Sequence, residues 1–329
     1  MFNVKNKGLT DKIHEKRKCK RSSCRVYSSN LRRINNEFSK KPFTMNLNWL
    51  GTDAKTILDK IKKLANVNQQ RNFVSSALVG FDLLNDQKNK DIYNEYLKKL
   101  NKKKAEMQRS GEMTTKQKAN FLSLSQIKKL KRLLGREVNL ARLYTRENVS
   151  KKDFQKIQRY LLLALYLELP PTRNDYADVT IITEKRFKGL DKKNSQNYLV
   201  TARGGYKLYW RNYKTSRTYG EIVVFIPKYS KSLQRLLVKH VKYLRKHFPE
   251  NDALLLNQKF GRLSRNALTK YLQRMFKQYF KKNISTTMLR QIFLTSKYDK
   301  KALQEQQDTS RLMGHSITTQ IADYIKKKE

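Results

Sequence analysis

T-M-L-R-Q-I-F-L-T-S from Thr287 to Ser296, followed by L-M-G-H-S-I-T-T-Q-I-A-D-Y from Leu312 to Tyr324, is the stretch on which the reading of this chain turns. Ser316 is placed to cap a short terminal helix. Ile317, Ile321 and Ile325 recur at helical spacing, so Tyr324 falls beside an apolar stripe. Read alone, that tyrosine is a core residue. Arg290 and His315 change the balance, because a guanidinium, an imidazole and a phenol gathered in one stretch form the pattern of a site that handles phosphate.

The same stretch resembles the C-terminal half of the tyrosine recombinase (integrase) family. The family's H-x-x-R motif falls on Thr287-Met288-Leu289-Arg290, its G-H motif on Gly314-His315, and its nucleophilic tyrosine on Tyr324. Thr287 stands where the family usually has histidine. The resemblance implies a mainly α fold with a small antiparallel β-sheet, arranged as a two-domain DNA clamp. An N-terminal helical bundle would precede a C-terminal catalytic domain.

Composition points the same way. The 329 residues carry 73 Lys and Arg against 27 Asp and Glu, a formal charge of +46. A compact surface holding that charge repels itself strongly, so a polyanion is the expected partner, double-stranded DNA first. A membrane is not expected: the longest apolar run, Tyr160 to Leu167, is far too short to span one and reads as a buried helix. Neither H-E-x-x-H nor a P-loop is present, nor is there an acidic set of the kind that metal-dependent nucleases use. No cofactor and no metal is expected. Cys19, Cys24 and His14 supply three potential ligands where a structural zinc wants four, so the thiols read as solvated groups.

Upstream, residues 1–44 are rich in Lys, Arg, Asn and Ser, with K-R-K-C-K-R at Lys16 to Arg21, and read as a basic flexible arm. Such an arm would dock on phosphates or serve as a nuclear-import signal. From 45 to 112 the pattern is helical. One helix carries Ile57, Leu58 and Ile61, a second Phe73, Ala77, Leu78 and Phe81, and a third Tyr93, Tyr96, Leu97 and Leu100. A polar stretch from Asn101 to Lys118 reads as a linker, and a catalytic domain follows over 119–329.

Ser150 and Asp153 predict a capping box for a long buried helix that Pro170-Pro171 ends. Thr172 and Asp175 predict a second box, which would put Arg173 in a first helical turn, where the dipole disfavours a cation. A residue that breaks the local rule fits a site awaiting an anion. Arg173 also lies where the family carries its first catalytic arginine, although Tyr176 occupies the place of the acidic residue expected three positions later. Three short antiparallel strands are predicted over Asn197 to Val200, Tyr206 to Tyr213 and Gly220 to Ile226. Lys214, at the mouth of the second turn, resembles the family's catalytic lysine, with Lys207, Arg211 and Arg217 as competitors. Ser230 and Ser264 cap two further helices, and the polar face of the second shows Arg265, Lys270, Arg274 and Lys277, a candidate DNA-binding face.

The resemblance thus implies a catalytic set of Arg173, Lys214, Arg290, His315 and Tyr324, with Thr287 as a weak neutral contributor. Tyr324 would attack phosphorus to give a 3′-phosphotyrosyl link, the arginines and His315 would hold the nonbridging oxygens, and Lys214 would protonate the departing 5′-oxygen. Two alternatives stay open: a type IB topoisomerase, and a non-catalytic DNA-binding protein on the same fold. Abundant Lys, Asn, Ile and Tyr suggest an AT-rich genome such as that of a virus or mobile element. The expected setting is intracellular, with DNA, in a host nucleus or viral factory. Family members act as tetramers, although few residues follow Tyr324 for exchange between protomers.

Overall fold

The computed structural model describes residues 7–148, 150–191, 194–313 and 316–317. The chain divides into two compact units, Met1–Met113 and Thr114–Glu329.

The first unit is helical: α1 Lys7–Arg17, α2 Arg21–Phe38, α3 Asn48–Thr52, α4 Ala54–Lys62, α5 Val67–Leu84 and α6 Gln87–Ser110. Asn66 caps α5, accepting the N–H groups of Asn68 and Gln69. The core closes around α5, whose Phe73, Val74, Ala77 and Phe81 are buried. Gly80 lets α5 approach its neighbours closely; a Cβ there would lie 2.4 Å from Leu50 Cδ2. The arm expected over 1–44 is corrected here. Leu9 and Ile13 of α1 and Cys24, Leu31, Ile34 and Phe38 of α2 all belong to this core. The apolar stripe of α2 is interrupted by Ser28 and Asn35, which are nonetheless buried, and the Asn35 amide donates to the Lys41 carbonyl at 2.9 Å. The thiols are likewise not solvated: Cys24 is buried and Cys19 half-buried, and their sulfurs touch. The linker expected over Asn101 to Lys118 is also largely helical, since α6 runs on to Ser110 and the next helix begins at Thr115.

The second unit opens with α7 Thr115–Asn120, α8 Leu124–Leu140 and α9 Lys151–Glu168. Ser123 and Gln126 form a capping box on α8, and the Ser150 hydroxyl caps α9 through the Asp153 N–H. The run Leu161 to Tyr166 in α9 is buried on every side, as its unbroken apolar sequence requires. Next come a 3₁₀ turn at Asp175–Asp178, β1 Val179–Thr183, α10 Glu184–Lys188, β2 Asn197–Thr201, β3 Lys207–Trp210, α11 Ser216–Tyr219, β4 Ile222–Phe225 and α12 Ile226–Tyr229. The longer helices α13 Lys231–His247, α14 Arg265–Phe280, α15 Thr286–Lys297 and α16 Lys300–Leu312 complete the described chain.

The sheet has the order β1-β2-β3-β4 and is mixed, not antiparallel as expected. β1 runs parallel to β2 with Val179 opposite Asn197, while β2–β3 and β3–β4 are antiparallel. β1 is a run of five β-branched residues, which suits a pleated, half-buried surface. Gly205, in the turn between β2 and β3, has φ of +125°, and a Cβ would meet Pro227 at 2.4 Å, so glycine is required there.

Candidate active site

Arg173 lies in the loop released when Pro170-Pro171 stops α9. The helical turn expected around it does not form. The Thr172 hydroxyl is buried without a hydrogen-bond partner, and only a short 3₁₀ turn intervenes before β1. The loop is instead fixed from below: the buried Tyr166 hydroxyl donates to the Arg173 carbonyl at 2.6 Å. Tyr176, in the family's acidic position, is a core residue whose ring meets Tyr166 edge-on at 5.1 Å and Trp210 at 5.3 Å. The neighbouring Asp175, 6% exposed, carries the carboxylate that Tyr176 lacks. Burial pushes that carboxyl above its ordinary range. The Arg265 charge, and then a hydrogen bond from the Arg173 backbone, pull it back down.

Arg290 comes from α15. Ser285 caps that helix, and its buried Leu289 and Ile292 seat it, leaving Arg290 half-buried and Thr287 exposed. The Thr286 hydroxyl donates to Asn174 Oδ1 at 2.8 Å, which ties the first turn of α15 to the residue beside Arg173. Burial, and next the Arg173 guanidinium, lower the pKa of Arg290, while Asp175 and Tyr166 oppose the shift. Two arginines far apart in sequence are thus carried by segments that a side-chain hydrogen bond joins. An anion seated near both would be held by charge and by their forked N–H groups.

Lys214 is exposed on the connection between β3 and β4. Just before it, Asn197 Oδ1 accepts the backbone N–H groups of Arg211 and Asn212 at 2.9 and 2.8 Å. The Asn197 amide donates back to the Asn212 carbonyl at 3.0 Å. Beyond it, the Tyr213 hydroxyl donates to the Gly220 carbonyl at 2.8 Å. Of the competitors, Arg211 pairs with Glu221 and stacks over Phe187, Lys207 sits in β3, and Arg217 is exposed on α11.

On α14, Lys270, Arg274 and Lys277 are exposed, as a face for DNA requires. Arg265 differs: its partly exposed side chain is engaged by Asp178, by Asp175 at 3.5 Å and by the Asn212 carbonyl at 2.8 Å. As the first residue of α14 it meets the positive end of the helix dipole, and the two carboxylates offset that. A helical-face argument from sequence had no means of seeing these partners. A cavity of about 590 Å³ beside Arg274, lined by Phe154, Phe260 and Tyr271 among others, includes none of Arg173, Lys214 or Arg290.

Gly314, His315 and Tyr324 lie outside the described residues. Among the described residues, no cluster of three or more His, Cys, Asp or Glu side chains could hold a metal ion, and no helix is long and apolar enough to cross a membrane.

No protein-family model matches the chain, and no curated protein does. Among solved structures, the chain is similar to a crystal structure of XerA recombinase. Identity is 13%, coverage is 99% of this chain and 95% of that one, and the TM-score is 0.35. At that level of superposition, the case for a function rests on the residues themselves.

Proposed function

We propose that this protein is a site-specific DNA strand transferase of the tyrosine recombinase type. The observation that carries the reading is the hydrogen bond from Thr286 to Asn174, which joins the helix that carries Arg290 to the loop that carries Arg173. The Asp175 carboxylate offsets part of their charge, and the total of +46 makes a phosphodiester the natural candidate for the remainder.

In the proposed reaction, the Tyr324 phenol gives its proton to solvent as its oxygen attacks phosphorus, and the bond to the 5′-oxygen breaks. Lys214 supplies the proton that makes the departing group a hydroxyl. Arg173, Arg290 and His315 hold the nonbridging oxygens as charge builds on them. The phosphotyrosyl ester conserves the energy of the broken bond, so attack by a 5′-hydroxyl rejoins the strand without metal or nucleotide. In this reading, Lys270, Arg274 and Lys277 follow the backbone, the first unit adds a second DNA-binding surface, copies associate as a tetramer on DNA, and the setting is intracellular.

Thr287 favours a second reading, a DNA-binding protein that has lost cleavage, because an exposed threonine brings no charge to the position of a histidine. A nicked suicide duplex, which lets the cleaved fragment diffuse away, separates the two. The enzyme accumulates a covalent protein–DNA adduct, and the pure binder accumulates none. Strand exchange between two duplexes then distinguishes a recombinase from a type IB topoisomerase.

A further inference from the structure

We propose that Arg265 is a positioning residue that sets Lys214 relative to Arg173, an inference that rests on the function proposed above. Three elements meet at its guanidinium. Nε pairs with Asp178 at the end of the 3₁₀ turn, while Nη2 reaches Asp175 at 3.5 Å and donates to the Asn212 carbonyl at 2.8 Å. Asp175 lies two residues after Arg173 and opens the 3₁₀ turn that follows it. Asn212 lies two residues before Lys214. One side chain thus bridges the loop that carries Arg173 to the connection that carries Lys214, and its own backbone is fixed at the capped start of α14.

The chemistry suits arginine in particular. Its planar fork donates along fixed directions and serves a carboxylate pair and a carbonyl at once, which a single ammonium does not do with the same geometry. Asn197 restrains the same Arg211–Asn212 segment from the other side, through three hydrogen bonds of 2.8–3.0 Å. Lys214 itself is exposed on a loop, so its placement depends on how firmly Asn212 is held. A general acid must lie within hydrogen-bond reach of the oxygen it protonates, and a shift of about 1 Å is enough to slow a reaction severely. Arg265 acts by holding Asn212 and, through it, Lys214.

The test uses two suicide duplexes, one ordinary and one with sulfur in place of the bridging 5′-oxygen at the cleaved phosphate. A thiolate leaves without a proton, so the sulfur duplex bypasses Lys214 while still requiring Tyr324 and the arginines. Full-length Arg265→Ala is expected to form adduct at least about tenfold more slowly than wild type on the oxygen duplex, and within about threefold of wild type on the sulfur duplex, as is Lys214→Ala. DNA affinity should be unchanged. Asp178→Asn loosens the same tie from its other end without stranding a charge, and should show the same selectivity if Arg265→Ala folds poorly. Equal losses on both duplexes, no loss on either, or a loss confined to DNA affinity would overturn the inference. Wild-type protein that forms no adduct on either duplex would instead remove the proposed function itself, and this inference with it.

Discussion

Arg173 and Arg290 show how little of a site is visible in a residue's identity alone: both were legible as cations, but Asn174, Asp175 and Thr286, which hold them together, were not. The spacing of Thr172-Arg173-Asn174-Asp175 is that of a capping box, but the buried Tyr166 and Tyr176 decide the loop's path instead. Thr287 gives the first prediction at this scale. It is exposed on the first turn of α15, so Thr287→Ala should slow cleavage by no more than about 1 kcal/mol of barrier, the worth of one neutral hydrogen bond. Thr287→His should speed cleavage below about pH 6.5, where an ordinary imidazole is charged. A pH profile of adduct formation for the three proteins checks both. The second prediction concerns His240, fully buried beneath Tyr144 with Nε2 on the Leu254 carbonyl. Burial lowers its pKa from 6.5 to about 4. The unfolded chain therefore binds more protons between those values. Stability is complete above pH 6.5 and falls as the pH drops toward 4, by up to about 3 kcal/mol from this residue. Urea unfolding followed by Trp210 emission in a Trp49→Phe background should show that slope, and His240→Phe should flatten it.

Helices with a clean apolar period and a hydroxyl at the cap were legible as elements. Ser150, Ser230 and Ser264 do cap α9, α13 and α14. Elements whose buried face is chemically mixed were not. The stripe of α2 runs through Cys24, Ser28, Leu31, Asn35 and Phe38, and two polar members hid its period inside a basic segment. β1 is illegible for a different reason: its five β-branched residues follow a segment with the spacing of a helix start, which masks the change of period. Parallel pairing with β2 leaves no hairpin turn to announce it. Because α2 is a core element, Leu31→Ala or Ile34→Ala should destabilise the first unit by about 2–5 kcal/mol, and deletion of residues 1–41 should unfold it. Trp49 lies in the same core and reports the transition through its emission. An unchanged midpoint in either point variant would return this segment to the status of an arm.

Taken as a whole, the molecule carries 73 cationic side chains, and a charge of +46 by itself argues only for a polyanionic partner. What distinguishes an enzyme from a basic binding protein is where a few of those cations are held and whether a nucleophile joins them. In the second unit, a hydrogen bond from Thr286 to Asn174 joins the helix that carries Arg290 to the loop that carries Arg173, and Lys214 hangs from a segment that Asn197 and Arg265 restrain. In the proposed reaction the nucleophile is the Tyr324 oxygen. The direct measurement is to trap the protein on a nicked suicide duplex, digest it, and locate the modified residue by mass spectrometry. The account predicts a nucleotide 3′-phosphate esterified to Tyr324, and its disappearance in Tyr324→Phe, which still binds the duplex. No adduct in the wild-type protein, or an adduct that survives in Tyr324→Phe, would contradict it.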